Sequence, residues 1–75
     1  MKPTIGRIVM YNMTQDDKNK INGNKMDVLP AVIVAVWGNS CVNLKVISDG
    51  INDLWLTSKQ EGNAPGCWNW PVKEE

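Results

Sequence analysis

The sequence has 75 residues, with eight acidic and eight basic side chains and no histidine. That length allows a single domain, residues 1–75, and the balanced charge disfavours partners held through many phosphates, such as duplex nucleic acid. The lack of histidine removes the commonest general base. With only two cysteines and no C-x-x-C pair, a structural zinc site is also disfavoured.

Nothing in the sequence points to secretion or to a membrane span. No apolar run after Met1 resembles a signal peptide, and the longest apolar stretch, Ala31 to Trp37, is too short to cross a bilayer. We therefore expect a cytoplasmic protein whose thiols, Cys41 and Cys67, stay reduced and act as small core fillers. Without a disulfide or a metal, oligomerisation is the stabiliser left to so short a chain.

The chain opens with a strand followed by a long polar segment. Ile5 to Tyr11 is rich in β-branched and aromatic residues and is predicted to be the first strand. The polar stretch Asn12 to Asp27 lacks periodicity and is long for a connection in a compact domain. It predicts a long first loop, residues 12–28, that is either functional or locally disordered.

The second predicted strand, Leu29 to Trp37, is the strongest in the sequence, and both of its faces are apolar. Strict alternation gives one face with Ala31, Ile33, Ala35 and Trp37, and another with Val32, Val34 and Val36. A half-buried strand would instead alternate with polar residues. We expect one face to meet another copy of the chain, and the predicted interface residues are Val32, Val34, Val36 and Trp37. The alternative is a tightly curled barrel that covers both faces itself.

Three shorter strands follow. A turn at Gly38-Asn39-Ser40 leads into Cys41 to Ile47, a turn at Asp49-Gly50 precedes Leu54 to Ser58, and Gly66 to Pro71 closes the chain. No segment has helical periodicity. Five short strands predict an all-β fold, a small Src-homology-three-like barrel with a long first loop; an oligonucleotide-binding barrel is the runner-up.

The residues that usually carry catalysis are missing or have ordinary structural explanations. Neither thiol has an imidazole or a basic cluster nearby in the sequence to lower its pKa. Asp49 and Asp53 flank a turn, where aspartate usually serves the backbone. No glycine-rich phosphate loop occurs. We therefore expect no enzyme activity, no metal and no cofactor.

Tryptophan is unusually common, with four residues beside one tyrosine and no phenylalanine. Such an excess is typical of pockets and interfaces. Trp55 lies on the strand face opposite Leu54 and Leu56, so we expect it to be partly exposed, and Trp68 and Trp70 share a face. Exposed rings suit stacking on a nucleobase or packing against a Pro-rich peptide. Alternatively, the rings close the barrel end or an oligomer seam.

Arg7, the single arginine, shares a strand face with Val9 and Tyr11. It could pair with Asp49 or Asp53, or hold a phosphate or carboxylate in a bidentate fork. Neutral donors and acceptors able to read base edges are supplied by Asn43, Thr57, Ser58 and Asn69. The predicted ligand-binding residues are Arg7, Tyr11, Asn43, Trp55, Thr57, Ser58, Trp68, Asn69 and Trp70.

Five segments of the chain resemble a family of very small tailed-phage and prophage proteins. They are Gly6-Arg7-Ile8-Val9-x-Tyr11, Pro30-Ala31-Val32-Ile33-Val34-x-Val36-Trp37, Val42-Asn43-Leu44-x-Val46, Asp49-Gly50-x-Asn52-Asp53 and Pro65-Gly66-x-Trp68-x-Trp70-Pro71, of which the last is the most specific. Members often carry histidine where this chain has Met10 and Asn69. The resemblance implies a phage origin and a place in the host bacterial cytoplasm. By analogy of type, the chain is similar to phage anti-defence sponges, oligomers that trap nucleotide immune signals.

Three functions remain open. The first is a homo-oligomeric, non-enzymatic protein that binds and sequesters a cyclic nucleotide or an ADP-ribose derivative and so blocks host defence. The second is a Trp-lined interaction module that grips a host or phage protein. The third is a single-stranded nucleic-acid binder, which the balanced charge disfavours.

Overall fold

A computed structural model describes residues 2–72 of the chain. The elements are β1 (Ile8–Asn12), α1 (Gln15–Asn19), β2 (Val28–Val36), β3 (Cys41–Val46), β4 (Leu54–Gln60) and β5 (Trp68–Asn69). The strands form one antiparallel sheet in the order β4-β3-β2-β1-β5, which curls into a half-barrel. The predicted all-β class with five strands is confirmed. No helix within residues 2–72 has the length and apolarity to cross a membrane.

The core lies on one side of this sheet, here called the inner face. Its buried side chains come from all five strands and from the segment that holds α1: Val9, Tyr11, Met13, Ile21, Leu29, Ala31, Ile33, Val42, Leu44, Val46, Leu54, Leu56 and Trp68. The buried apolar residues of β3, and Leu54 and Leu56 of β4, follow the alternating pattern of a strand with one buried face. Cys41 and Cys67 are only partly buried and stand outside this cluster, so their expected role as core fillers is wrong.

The two edge strands of the sheet approach each other at one end. Glu61, which follows β4, forms a parallel bridge with Trp68 of β5. The Trp68 indole crosses the interior, and its Nε1 donates to the carbonyl oxygens of Ser40 and Lys59, each at 3.1 Å. One buried ring thus joins the last strand to the β3–β4 side of the half-barrel.

The predicted first loop contains a helix, which corrects the expectation of an irregular segment. Thr14 caps α1: its hydroxyl accepts from the Asp17 backbone N–H at 3.1 Å, and the Asp17 carboxylate accepts from the Thr14 N–H at 3.4 Å. The Tyr11 hydroxyl donates to the same carboxylate at 2.5 Å. These bonds fix the helix against β1. A helix of five residues is too short to show a 3.6-residue periodicity, which is why the pattern missed it.

The rest of this segment is bonded to the β3–β4 turn. The Asn52 side chain accepts from the Asn22 N–H at 2.8 Å and donates to the Lys20 carbonyl at 2.9 Å. The backbones touch beside it, so that a Cβ on Gly50 would lie 1.6 Å from the Asn22 carbonyl oxygen. Hydrogen bonds therefore hold residues 12–27 in place beside the sheet.

A β-bulge interrupts β2. Ile33 pairs with Leu44, but the next pair is Ala35 with Asn43, so Val34 is an extra residue on this strand. An extra residue shifts the in-out alternation by one position for the remainder of the strand. The predicted strict alternation along the whole strand is therefore wrong beyond Ile33.

Beyond the bulge the two faces of β2 are exchanged. Val36 pairs with Val42, which is fully buried, so Val36 points to the inner face at the rim. Trp37 follows on the outer face, where its backbone N–H bonds to the Cys41 carbonyl at 2.9 Å, and its side chain is 66% exposed. Strict alternation therefore wrongly puts Trp37 on the face of Ala31 and Ile33, and it wrongly puts Val36, a predicted interface residue, on the face of Val32. Val32 and Trp37 share the outer face, and Val36 does not.

Candidate functional site

A groove of about 470 Å³ lies between α1 and the open edge of β4. β4 is an edge strand that pairs with β3 alone, so its other side faces the helix. The helical segment supplies the polar and charged residues Thr14, Asp16, Asp17 and Lys20, and β4 supplies both apolar and polar residues, Trp55, Leu56, Thr57 and Lys59. A cavity of this size matches the volume of a small organic ligand.

The groove wall contains a second bulge. The register between β3 and β4 slips between the pairs Val42–Lys59 and Leu44–Leu56. Between these pairs, one residue of β3 faces two residues of β4. Bulges of this kind bend a strand and redirect its side chains, and they are frequent beside functional sites.

Asn43 is the single residue that faces this bulge, and Thr57 and Ser58 are the two opposite it. The Asn43 Oδ1 accepts from the Ser58 backbone N–H at 2.8 Å, from the Thr57 hydroxyl at 3.1 Å and from the Trp37 indole N–H at 2.9 Å. Backbone and indole N–H groups only donate, so this atom must be the amide oxygen. The oxygen predicted to read a base edge serves the protein itself, because it holds the bulge together and orients the Trp37 ring.

The bulge carries local strain and turns a lysine inward. Ser58 has φ of 56°, a left-handed conformation that is uncommon for a residue other than glycine. Because Lys59 pairs with the buried Val42, its side chain points to the inner side and lines the groove. If β4 alternated regularly from Leu56 to Lys59, with no bulge between them, Lys59 would lie on the outer face.

Trp55 stands at the mouth of the groove. It pairs with Lys45 of β3, so both side chains leave the outer face, and the Trp55 ring is 58% exposed while also lining the groove. The prediction that Trp55 is partly exposed is confirmed. A ring at a strand edge presents a flat apolar surface both to the groove and to solvent.

The charges in the groove are balanced, and one of them is engaged. Lys20 and Lys59 are the cations of the lining, and Asp16 and Asp17 are the anions. The Asp17 carboxylate accepts the Tyr11 hydroxyl, and burial, followed by that hydrogen bond, raises the pKa of Tyr11 above its ordinary value. Tyr11 is therefore a neutral hydroxyl donor near neutral pH. Its partner, the Asp17 carboxylate, is used in the hydrogen bonds that fix α1 against β1.

The remaining predicted ligand residues lie elsewhere, near β1 and β5. Tyr11 and Trp68 have no exposed surface, so the expected display of their rings is wrong. Trp70 is half-buried and packs edge-on against Trp68, with ring centroids 5.4 Å apart at 86°. The Arg7 guanidinium lies over the Trp70 ring at 5.4 Å from its centroid. The Asn69 amide donates to the Gly62 and Asn63 oxygens at 3.2 and 2.8 Å.

Four of the predicted residues are thus brought together around β4: Asn43, Trp55, Thr57 and Ser58. Sequence reasoning missed the groove residues of the helical segment and Lys59. The Thr14-x-x-Asp17 spacing is a capping-box signal that could have located α1. Nothing in the sequence marks Lys59, because its direction depends on the bulge.

No protein-family model, curated protein or solved structure matches this chain.

Proposed function

We propose that this protein is a non-enzymatic binding module that holds a small nucleotide in the groove between α1 and β4, with the base stacked on Trp55. The observation that carries the proposal is an exposed indole at the mouth of a groove that also offers amine and hydroxyl donors. Stacking of a base on an aromatic side chain contributes about 1–3 kcal/mol. The hydroxyls of Thr14 and Thr57 can donate to or accept from base and sugar atoms.

The exposure of Trp55 supports a ligand at this position. Leaving about 100 Å² of a ring in water forgoes about 2–3 kcal/mol of hydrophobic stabilisation. The lining contains neither a thiol nor an imidazole that could act as nucleophile or base, which favours binding over catalysis. A cavity of about 470 Å³ suits one nucleotide rather than a polymer.

The sequence resemblance supports a wider role for this binding. In the cytoplasm of a phage-infected bacterium, sequestering a cyclic nucleotide or an ADP-ribose derivative would block an immune signal. The fold proposed with this role is a Src-homology-three-like barrel. Five short antiparallel strands and the long first connection between β1 and β2 support that type.

The outer face supports assembly into a homo-oligomer, which we propose as part of the same function. The register aligns Ile8, Val32, Lys45 and Trp55 in one row across four strands, and Trp37 lies beyond it on the same face. An exposed surface that holds several large apolar side chains typically marks an interaction site. Light scattering over a range of concentrations tests this assembly. A strict monomer at all of them would contradict it.

The same outer face also favours the second candidate function, a Trp-lined module that binds another protein. Two indoles and an apolar row are typical of interface anchors. Purification from infected cells distinguishes the two functions, because the module predicts a stoichiometric protein partner while the nucleotide binder predicts an intact small ligand released on denaturation.

The nucleotide proposal is tested by calorimetry and thermal shift against cyclic mononucleotides, cyclic dinucleotides, ADP-ribose and AMP. We expect at least one to bind and to quench tryptophan fluorescence. Trp55→Ala should lower its affinity about tenfold, the loss of one stacked base. Trp37→Ala is the matched control, an exposed indole outside the groove, and should leave affinity close to wild type. No binding across the panel, or equal losses in both variants, would overturn the proposal.

A further inference from the structure

We infer that the bulge in β4 builds an anion subsite in the groove, in which Lys59 and Lys20 hold the phosphate of the bound molecule. The identity of the anion as a nucleotide phosphate rests on the proposed function. The geometry of the subsite rests on the strand register and the lining of the groove alone.

The first step is the direction of Lys59. The pair Val42–Lys59 places this lysine on the inner face, where the other inward residues of β4, Leu54 and Leu56, are apolar and buried. Lysine is rarely turned toward a core, because its charge loses hydration there. The bulge imposes this direction, since regular alternation would put Lys59 in solvent on the outer face.

The second step is that hydrogen bonds hold the bulge, and with it the inward direction of Lys59. The Asn43 oxygen accepts from Ser58, the residue in the left-handed conformation, and from its neighbour Thr57. A strained residue persists only where the surrounding structure holds it, and such strain tends to accumulate at binding sites. Asn43 is therefore a positioning residue, which acts on a ligand through the direction of Lys59.

The third step concerns the charges beside Lys59. Lys20, the C-cap of α1, lines the same groove, and within residues 2–72 neither amine forms an ion pair. Of the two acids in the lining, Asp17 is bonded by Tyr11, which leaves Asp16 on the exposed side of the helix. Two lysine ammonium groups are point charges with freely rotating donors, which suits a phosphate better than a planar, bidentate ligand.

The experiment compares AMP with adenosine as probes, because they differ only in the phosphate. Lys59→Gln and Lys20→Gln should each lower AMP affinity about tenfold, the loss of a charge-assisted bond. Adenosine affinity should be unchanged. Lys45→Gln is the matched control, a lysine on the outer face beside Trp55. Equal affinity of wild type for both probes, or an equal loss with Lys45→Gln, would overturn the subsite.

Exchanging residues 58 and 59 tests the register itself. Ser58→Lys combined with Lys59→Ser keeps the bulge but moves the amine to a position that does not line the groove, so AMP affinity should fall as far as it does for Lys59→Gln. Ser58→Gly keeps the extra residue and removes only a hydroxymethyl side chain that does not line the groove. It should bind AMP as wild type does and melt at a higher temperature. Wild-type AMP affinity in the exchanged variant would contradict the register argument.

A structural readout separates this inference from the proposed function. Nuclear Overhauser contacts should join the Lys59 methylenes to α1, and titration with inorganic phosphate should shift the Lys59 and Lys20 side-chain resonances. If AMP and adenosine both fail to bind while phosphate produces these shifts, the nucleotide proposal fails and the subsite stands. If Lys59 shows contacts on the outer face instead, or phosphate moves neither lysine, the subsite is wrong, even if the exchanged variant does not fold.

Discussion

The four tryptophans divide into two pairs that sit in opposite environments of the same small sheet. Trp68 and Trp70 lie on the β1–β5 side, the first fully buried and the second packed on it. Trp37 and Trp55 lie on the outer face near β3 and β4 and are more than half exposed. The residue type is the same, so the difference shows that the sheet uses indole both as core filler and as displayed surface.

The polar end of each ring explains how the two pairs are held. The Trp68 N–H is shared between two backbone carbonyls across the half-barrel, which locks the ring inside. The Trp37 N–H instead reaches the Asn43 side chain on the outer face, so that the ring is oriented but uncovered. A buried indole needs such a partner to avoid the cost of a desolvated donor, whereas an exposed one could use water. The bond to Trp37 therefore indicates that the orientation of this exposed ring matters.

The largest expected effect is that of Trp68→Ala. Removal of a buried tryptophan costs about 3–5 kcal/mol, and two carbonyls also lose their donor. A domain of this size has only about 4–11 kcal/mol of stability, so the variant should be partly or largely unfolded at 25 °C. Urea denaturation followed by circular dichroism measures the loss. A cost below about 1 kcal/mol would show that this ring is not a core element.

Asn43→Ala should have the next largest effect. Three hydrogen bonds at about 0.5–1.5 kcal/mol each are lost, so we expect about 2–4 kcal/mol of destabilisation. The same variant should release the Trp37 ring, which is measurable as faster motion of the Trp37 indole N–H in nitrogen-15 NMR relaxation. Unchanged stability would mean that the bulge in β4 forms without the hydrogen bonds of Asn43.

Much of the fold could be predicted from the sequence because strand alternation is a local pattern. The inward residues Val42, Leu44 and Val46 and the exposed Trp55 follow from a period of two. The existence of five strands follows from turn residues between apolar runs. These features depend on neighbours in the chain, which is why the sequence is sufficient for them.

The site could not be predicted to the same extent because it depends on pairing between distant strands. Val34 and Ser58 are the extra residues of two bulges that flank Asn43, and neither is a glycine or an asparagine that would mark the position. The bulges decide which way Trp37 and Lys59 point. Trp68 is likewise held inside by the carbonyls of Ser40 and Lys59, which lie on other strands or turns. Strand alternation alone therefore could not show that Trp68, unlike Trp55, is buried.

Tyr11→Phe tests the polar anchor on the buried side of the molecule. Loss of the hydroxyl bond to the Asp17 carboxylate should cost about 1.5–3 kcal/mol, as for other bonds to a charged group. The folded state raises the pKa of Tyr11, so it keeps a proton that the unfolded chain releases near pH 10. Stability from this group is therefore complete below pH 10 and falls as pH rises above it.

The matching measurement is urea denaturation of both proteins between pH 8 and pH 11.5. Lysines also titrate in this range, so the difference between wild type and Tyr11→Phe isolates the tyrosine. The wild type should lose more stability than the variant as pH rises. Parallel curves would mean that the hydroxyl is not bonded to Asp17 in solution.

The smallest expected effects on stability are those of the displayed rings, and they bear most directly on function. Trp55→Ala should cost less than about 0.5 kcal/mol, as for other surface substitutions, and Trp37→Ala up to about 1 kcal/mol because it also removes the bond to Asn43. Both follow from the same urea experiment as Trp68→Ala. If Trp55→Ala instead cost more than about 2 kcal/mol, the ring would be supporting the fold, and base stacking would lose its premise. A near-neutral cost leaves binding, either of a ligand in the groove or of a partner on the outer face, as the reason for holding this indole in water.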